Sequence, residues 1–207
     1  MTSAEALQRL IDGNERFVSG ASVQRLPTHD RLEHLAEAQH PFATILGCSD
    51  SRVPPEMVFD QGFGDLFIVR VAGNVVGTEI LGSLAYALGH LATPLFVILG
   101  HEGCGAVQAA LRARLGGATE RGNLAALLDA ILPALQGIDP RESSAGQLHS
   151  AVETNVRWAM RQLAATPGGR AALADGRVRL VGAVYELATG RVRFLHDEGA
   201  QALQTPS

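Results

Sequence analysis

The sequence predicts an α/β fold in which helices flank a central, mostly parallel β-sheet. Two patterns indicate this fold: four short apolar runs typical of strands buried on both faces, and helical patterns that alternate with them. A third observation concerns domain number. No repeat, low-complexity tract or proline-rich linker divides the 207 residues, so we expect a single domain over 1–207. Residues 1–40 are expected to form its N-terminal helical arm.

The arm begins with a predicted amphipathic helix. Thr2 or Ser3 can cap it, and apolar side chains recur on one side at helical spacing: Ala6, Leu7, Leu10, Ile11 and Phe17. Nothing else in the first 40 residues offers this apolar stripe a partner. Two arrangements are therefore open: the helix packs on its own domain, or it reaches across to a second subunit.

The rest of the chain alternates between predicted strands and predicted helices. The strands are 42–47, 66–71, 95–100 and 178–185, and the helices are 78–91, 106–115, 123–135 and 150–165. Such alternation favours a mostly parallel sheet. The turn Thr189-Gly190 lies between Val184 and Phe194, which predicts that a last short strand returns antiparallel at the edge.

The composition excludes several classes of protein. Charged residues make up 18% and the net charge is −4, whereas nucleic-acid-binding domains usually carry a basic excess. The most apolar run, 94–100, is far shorter than the about 20 residues that a membrane-spanning helix needs. The first 20 residues also lack the unbroken apolar stretch of a secretory signal. We therefore expect a soluble, cytoplasmic protein that binds neither nucleic acid nor membranes.

Two segments that follow predicted strands carry the chemistry-bearing side chains. Cys48, Asp50 and Arg52 follow the first strand, and His101 and Cys104 lie in a glycine-rich turn after the third. In open α/β sheets, ligands bind at the carboxyl ends of the strands. Both cysteines of the chain are therefore expected at the same edge of the sheet.

Cys48, His101 and Cys104 form a candidate zinc site. Zinc prefers sulfur and imidazole nitrogen, and three protein ligands leave a fourth position open, as in catalytic sites. Asp50 has two possible roles: it occupies the fourth position, or it pairs with Arg52 and accepts a hydrogen bond from zinc-bound hydroxide. The alternatives are inert buried cysteines and an ordinary Asp50–Arg52 surface ion pair.

These two segments resemble the β-class carbonic anhydrases. The pattern of that family is Cys-x-Asp-x-Arg, followed further along the chain by His-x-x-Cys. It stands here as Cys48-Ser-Asp50-Ser-Arg52 and His101-Glu-Gly-Cys104. The resemblance implies a zinc enzyme that interconverts CO2 and bicarbonate, with one Zn²⁺ per subunit on the two cysteines and the histidine. It also implies that zinc-bound hydroxide, oriented by a catalytic dyad of Asp50 and Arg52, attacks CO2.

The resemblance carries further expectations about assembly and substrate binding. It implies four parallel strands with a fifth antiparallel one, and a homodimer or tetramer with active sites at the dimer interface. The N-terminal arm, 1–40, would then pack on a partner subunit. Four residues match family positions that bind substrate or line its small pocket: Gln39, Phe67, Ala72 and Tyr86.

One departure from the family pattern concerns regulation. Some members bind bicarbonate at a second, inhibitory site built from Trp, Arg and Tyr. Arg70 and Tyr185 match two of these positions, but Ile45 stands where the tryptophan is needed. Isoleucine has no indole N–H, so the resemblance implies a vestigial bicarbonate site and a constitutively open zinc site, with Asp50 held by Arg52.

Two other functions remain open at the level of sequence. Relatives with the same ligands hydrolyse carbonyl sulfide or carbon disulfide, which are linear molecules like CO2. A non-enzymatic zinc protein, with four protein ligands and no exchangeable water, is the other alternative. An assay on each substrate separates the first from CO2 hydration, and the coordination of the metal separates the second.

Overall fold

A computed structural model describes residues 1–23, 27–117, 120–139, 141 and 143–195. Five strands form one sheet within these residues: β1 (Ala43–Gly47), β2 (Leu66–Arg70), β3 (Leu95–His101), β4 (Arg179–Tyr185) and β5 (Val192–Phe194). Their order is β2-β1-β3-β4-β5. The first four pair in parallel, and β5 pairs antiparallel with β4. The predicted fold is therefore confirmed, whereas the single-domain prediction for 1–207 extends to residues 196–207, which lie outside the described part.

Eight α-helices lie in the same described ranges: α1 (Ser3–Val18), α2 (His29–Glu37), α3 (Pro55–Val58), α4 (Thr78–Tyr86), α5 (Gly105–Arg114), α6 (Gly122–Ile131), α7 (Ser144–Ala165) and α8 (Pro167–Ala174). Short 3₁₀ turns cover Ala72–Asn74 and Leu132–Leu135, and a π-helical turn covers Ala87–Leu91. None of the described helices is both long enough and apolar enough to cross a membrane.

Helices cover both faces of the sheet. One core contains Leu46 and Ile98 and extends to residues of α5, α6 and α7. The other contains Ile45 and Val97 and extends to residues of α1 and α3. Neighbouring residues of a strand point to opposite faces, so each strand supplies both cores. This arrangement explains why the sequences of β1 and β3 are mostly apolar and why all their residues are buried.

Helix α1 packs against its own chain. Thr2 and Glu5 form a capping box at its start, in which each side chain accepts a hydrogen bond from the other residue's main-chain N–H. Ala6 and Leu10, from the predicted apolar stripe, are fully buried. The first of the two arrangements left open by the sequence is therefore present within one chain. Packing of the arm on a partner subunit stays a prediction.

Asn14 connects α1 to the rest of the domain by hydrogen bonds. Its Nδ2 donates to the carbonyl oxygens of Val58 at 3.0 Å and Gly190 at 2.8 Å. Its Oδ1 accepts from the amide of Val192 at 2.8 Å. One buried side chain therefore joins α1 to the end of α3 and to the hairpin of β4 and β5.

Several helix boundaries differ from those predicted. The predicted helix 78–91 divides into α4 and the π-helical turn. The predicted helix 123–135 ends as an α-helix before Pro133, which has no N–H for the next helical hydrogen bond. Helix α7 starts earlier than the predicted 150–165, because Ser143 caps it by accepting from the amide of residue 146. Helices α3 and α8 were not predicted, and α2 lies within the predicted helical arm but was not predicted as a separate helix.

Candidate metal centre

The structure brings Cys48, His101 and Cys104 together at the carboxyl edge of the sheet. Cys48 follows β1, His101 is the last residue of β3, and Cys104 is the N-cap of α5. Because β1 and β3 are adjacent parallel strands, their ends present these side chains to one point. All three residues are buried, and their ligand atoms lie within 4.8 Å of one another.

The geometry of this group fits zinc. The two sulfur atoms are 4.0 Å apart. Two thiolates bound to one tetrahedral zinc ion at about 2.3 Å lie about 3.8 Å from each other, so little movement is needed. Sulfur, nitrogen and sulfur donors together favour zinc over hard cations such as Mg²⁺ and Ca²⁺.

The imidazole of His101 is oriented as a metal ligand. Its Nδ1 lies 2.8 Å from the carbonyl oxygen of Glu102, and a carbonyl can only accept, so Nδ1 carries the proton. Nε2 therefore presents a lone pair. This atom is buried and has no hydrogen-bond partner. Among the buried side-chain nitrogen and oxygen atoms of the described residues, only Nδ2 of Asn74 also lacks one. A buried acceptor without a partner is costly, and a metal ion would satisfy it.

Their surroundings shift the pKa values of the two cysteines in opposite directions. A hydrogen bond with Cys104 is the largest cause that lowers the pKa of Cys48 well below its ordinary value, and the amide of Gly73, 3.3 Å from its sulfur, contributes. The same hydrogen bond, together with burial, raises the pKa of Cys104. Because zinc binds thiolates, metal binding would release any proton that the pair carries.

Asp50 lies beside this group and is held by Arg52. Its Oδ1 accepts from the main-chain N and Nε of Arg52 at 3.0 and 2.9 Å, and its Oδ2 accepts from Nη2 at 2.8 Å. These bonds hold the pKa of Asp50 well below its usual range. Oδ2 is 3.8 Å from Nε2 of His101. An ionised carboxylate with a fixed orientation therefore borders the metal site.

Arg70 and Tyr185 flank the ligand segments. Arg70 donates from Nε to the carbonyl of Cys48 at 2.8 Å and from Nη2 to the carbonyl of Asp50 at 2.6 Å. Tyr185 is paired in register with His101, and burial raises the pKa of its hydroxyl. Ile45 is fully buried in the core. In this structure Arg70 therefore holds the main chain of the segment that carries the first cysteine.

The predicted pocket residues occupy different positions. The rings of Phe67 and Tyr86 are 6.1 Å apart, and Tyr86 is 45% exposed. Ala72 is half-buried at the start of the 3₁₀ turn whose Gly73 contacts the sulfur of Cys48. Gln39 is exposed in the segment before β1. Two of the four side chains thus lie together, one lies next to the metal group, and Gln39 lies at the surface.

Two residues next to the cysteines were missed by the sequence analysis. Gly73 donates its amide to Cys48, and Asn155 of α7 donates from Nδ2 to the carbonyl of Gly73 at 2.8 Å. A signal for Gly73 was present, since a Gly-Asn turn follows the carboxyl end of β2 just as the cysteine segments follow β1 and β3. Asn155 had no such signal, because a single asparagine in a helix has no motif.

Together, the fold and the site define an α/β protein with a buried Cys-His-Cys metal centre at the carboxyl edge of its sheet. The family model described as carbonic anhydrase matches residues 43–192. A carbonic anhydrase of Mycolicibacterium smegmatis is 40% identical over 192 residues, which cover 91% of each chain. Carbonic anhydrase 2 of Mycobacterium tuberculosis is 37% identical over 187 residues, which cover 90% of this chain and 89% of that one.

Solved structures agree with these relatives. The β-carbonic anhydrase CcaA has a TM-score of 0.74 and 26% identity, covering 92% of this chain and 95% of its own. A β-carbonic anhydrase of Coccomyxa in complex with acetazolamide has a TM-score of 0.71 and 26% identity, covering 91% and 86%. The chain therefore belongs to the carbonic anhydrase family, in its β class, and is an enzyme of the kind that generally hydrates CO2.

Proposed function

We propose that this protein catalyses the reversible hydration of CO2 to bicarbonate and a proton, with one zinc ion per chain. The observation that carries the proposal is the buried, unpartnered Nε2 of His101. It lies within 4.8 Å of two cysteine sulfurs and 3.8 Å from the carboxylate of Asp50, which Arg52 keeps ionised. Three ligands with an open fourth position, next to a fixed acceptor, are what the activation of water requires.

Cys48, His101 and Cys104 are the residues that would hold the zinc ion. When bound, zinc supplies a Lewis acid that can bring the pKa of a water molecule to about 7. The carbonyl of Glu102 keeps the proton of His101 on Nδ1, so that Nε2 faces the metal. The amide of Gly73 stabilises negative charge on Cys48.

Asp50 is proposed to orient the attacking water. Both of its oxygens already accept hydrogen bonds from Arg52, so the carboxylate stays ionised and cannot rotate freely. Oδ2 can then accept one hydrogen from the water, which directs the oxygen lone pair toward CO2. Asp50 and Arg52 thus act as a catalytic dyad, and the pairing with Arg52 keeps the carboxylate off the metal.

The proposed CO2 pocket contains Phe67, Ala72 and Tyr86, with Gln39 donating to a substrate oxygen. The 6.1 Å approach of the rings of Phe67 and Tyr86 supports an apolar wall for this pocket. Gln39 and Tyr86 are both exposed in the single chain, as expected if a partner subunit closes the pocket.

The active form is proposed to be a homo-oligomer in the cytoplasm. Related β-carbonic anhydrases of Sordaria macrospora, with a TM-score of 0.72 and 25% identity over 79% of this chain and 85% of that one, are described as tetrameric. On this chain Met57 and Phe63 are 54% and 57% exposed, and they lie near the exposed edge strand β2. Apolar surface of this kind beside the edge strand of a sheet supports contact with a second copy.

Stopped-flow CO2 hydration on protein of known zinc content tests the proposal. Rates measured across about pH 6.5 to 9 should persist near neutral pH, because the metal is expected to bring the pKa of water to about 7. Acetazolamide, which the Coccomyxa enzyme binds, should inhibit the reaction. Zinc-loaded protein without activity at any of these pH values would refute the proposal, and carbonyl sulfide and carbon disulfide would then be the next substrates to assay.

A further inference from the structure

The turn that follows β2 joins the metal group to helix α7. Gly73 lies in this turn and uses both of its main-chain polar groups. Its amide donates to the sulfur of Cys48 at 3.3 Å, and its carbonyl accepts from Nδ2 of Asn155 at 2.8 Å. Asn155 is only 2% exposed, so the bond to Gly73 lies in the interior. A continuous route of two hydrogen bonds therefore runs from α7 to a zinc ligand.

Gly73 itself has little freedom to move. Its φ of +67° is in the left-handed region, which favours glycine, and a Cβ would lie 2.9 Å from Cδ1 of Ile131 and 3.1 Å from Cβ of Ala106. The turn is thus confined on one side by α5 and α6. Because the close approach of Ile131 and Ala106 limits movement of Gly73, the hydrogen bond that anchors its carbonyl to Asn155 also fixes the direction of its amide.

We propose that Asn155 is a positioning residue of the metal centre, which holds Gly73 so that its amide points at the sulfur of Cys48. The inference rests on the proposed function in so far as Cys48 is taken as a zinc ligand. An N–H that donates to a ligating sulfur fixes the orientation of that sulfur toward the metal. Loss of Asn155 should therefore weaken zinc binding although this residue does not reach the metal.

Zinc affinity, measured by competition with a chelator on full-length protein, is the direct test. Asn155→Ala and Asn155→Leu both remove the donor, and the second retains side-chain volume. Each is expected to raise the zinc dissociation constant about 10- to 100-fold, the usual effect of losing a residue that supports a metal ligand. In the cobalt-substituted protein, the sulfur-to-cobalt charge-transfer absorption should also shift.

Asn14 provides the matched control. It too is a buried asparagine whose Nδ2 donates to carbonyl oxygens, but its hydrogen bonds are with Val58, Gly190 and Val192. Asn14→Ala should destabilise the fold while zinc affinity stays within about twofold of the parent and the cobalt spectrum is unchanged. The comparison therefore separates positioning of the thiolate from general loss of stability.

Three results would overturn the inference. In the first, the Asn155 variants keep zinc affinity within about twofold and an unchanged cobalt spectrum. In the second, Asn14→Ala loosens zinc as much as they do. In the third, both Asn155 variants fail to fold while Asn14→Ala folds. Asn155 would then be needed for folding and not for positioning Gly73. Because no readout is catalytic, failure of the proposed CO2 hydration would be seen separately.

Discussion

At the scale of single residues, Asp50 and Arg52 show how a short sequence motif keeps a carboxylate ionised and oriented. Their spacing of two residues lets the guanidinium and the main-chain N–H of Arg52 reach one carboxylate. The folded pKa of Asp50 is thereby below its unfolded value of about 3.9. The pair therefore stabilises the fold above about pH 4, and this contribution is lost as the pH falls through the folded pKa. The carboxylate remains ionised throughout the neutral range in which CO2 hydration is assayed.

Arg52→Ala is predicted to lower kcat/KM for CO2 hydration about 10- to 100-fold, because the carboxylate loses the partner that orients it. Zinc content should be retained at least in part, since Arg52 does not bind the metal. Stopped-flow rates per bound zinc measure the effect.

Arg141→Ala is the matched control for this prediction. Arg141 donates to Asp139 from its main-chain N, Nε and Nη2, the same three groups that Arg52 uses, in a pair on the exposed surface. Its removal should leave the rate per zinc unchanged. Equal rates in the Arg52 and Arg141 variants would show that the ion pair beside the metal does not orient Asp50.

At the scale of elements, the carboxyl ends of parallel strands explain how distant residues meet. Cys48 and His101 could be placed together from the sequence, because their strands were recognisable and the rule about strand ends is general. Asn155 could not, because its contact with Gly73 depends on how α7 lies across β3 and β4. Helix patterns predict that a face is buried, but they do not predict which turn it meets.

The boundaries of the helices were also only partly predictable. Ser143 was a usable signal for the start of α7, whereas α3 has only four residues, too few to show a period. For α1, the sequence predicted the apolar stripe but not the surface it covers. Asn14 decides this within the chain, because its three hydrogen bonds reach residues far along the sequence.

The contact between α7 and β3 leads to a stability prediction at Gly100. A Cβ on Gly100 would lie 2.6 Å from Cγ2 of Val156 and 3.2 Å from Cγ1 of Val152. Gly100→Ala should therefore lower the free energy of unfolding by about 1–3 kcal/mol, as overpacking of a tight core does. Denaturant titration measures this change.

Gly168→Ala serves as the control for Gly100→Ala. Gly168 lies in α8, and a Cβ there would meet no atom within 4 Å. The substitution should leave the free energy of unfolding unchanged or raise it slightly, because alanine favours helix. If Gly100→Ala were as stable as Gly168→Ala, α7 would not pack as closely on the sheet as described.

At the scale of the whole molecule, the sheet order also determines where the metal group lies, because it places β1 beside β3 in parallel. Alternating strand and helix patterns were sufficient to predict the α/β class, and the Thr189-Gly190 turn to predict the antiparallel edge strand. Two motifs were sufficient to predict that Cys48, His101 and Cys104 come together. Contact with a partner subunit could not be predicted in this way. An exposed residue such as Phe63 or Tyr86 belongs to no periodic pattern, so the sequence does not show what covers it. Assembly therefore rests on exposed surface and on relatives rather than on the strand and helix pattern.

The most direct test of the central claim is a zinc titration of the metal-free protein, followed by CO2 hydration at neutral pH. We predict that activity rises in proportion to bound zinc and reaches its maximum at one zinc ion per chain. Removal of the metal by a chelator should abolish the activity, and added zinc should restore it. Full zinc occupancy without CO2 hydration, or activity that does not depend on zinc content, would contradict the account.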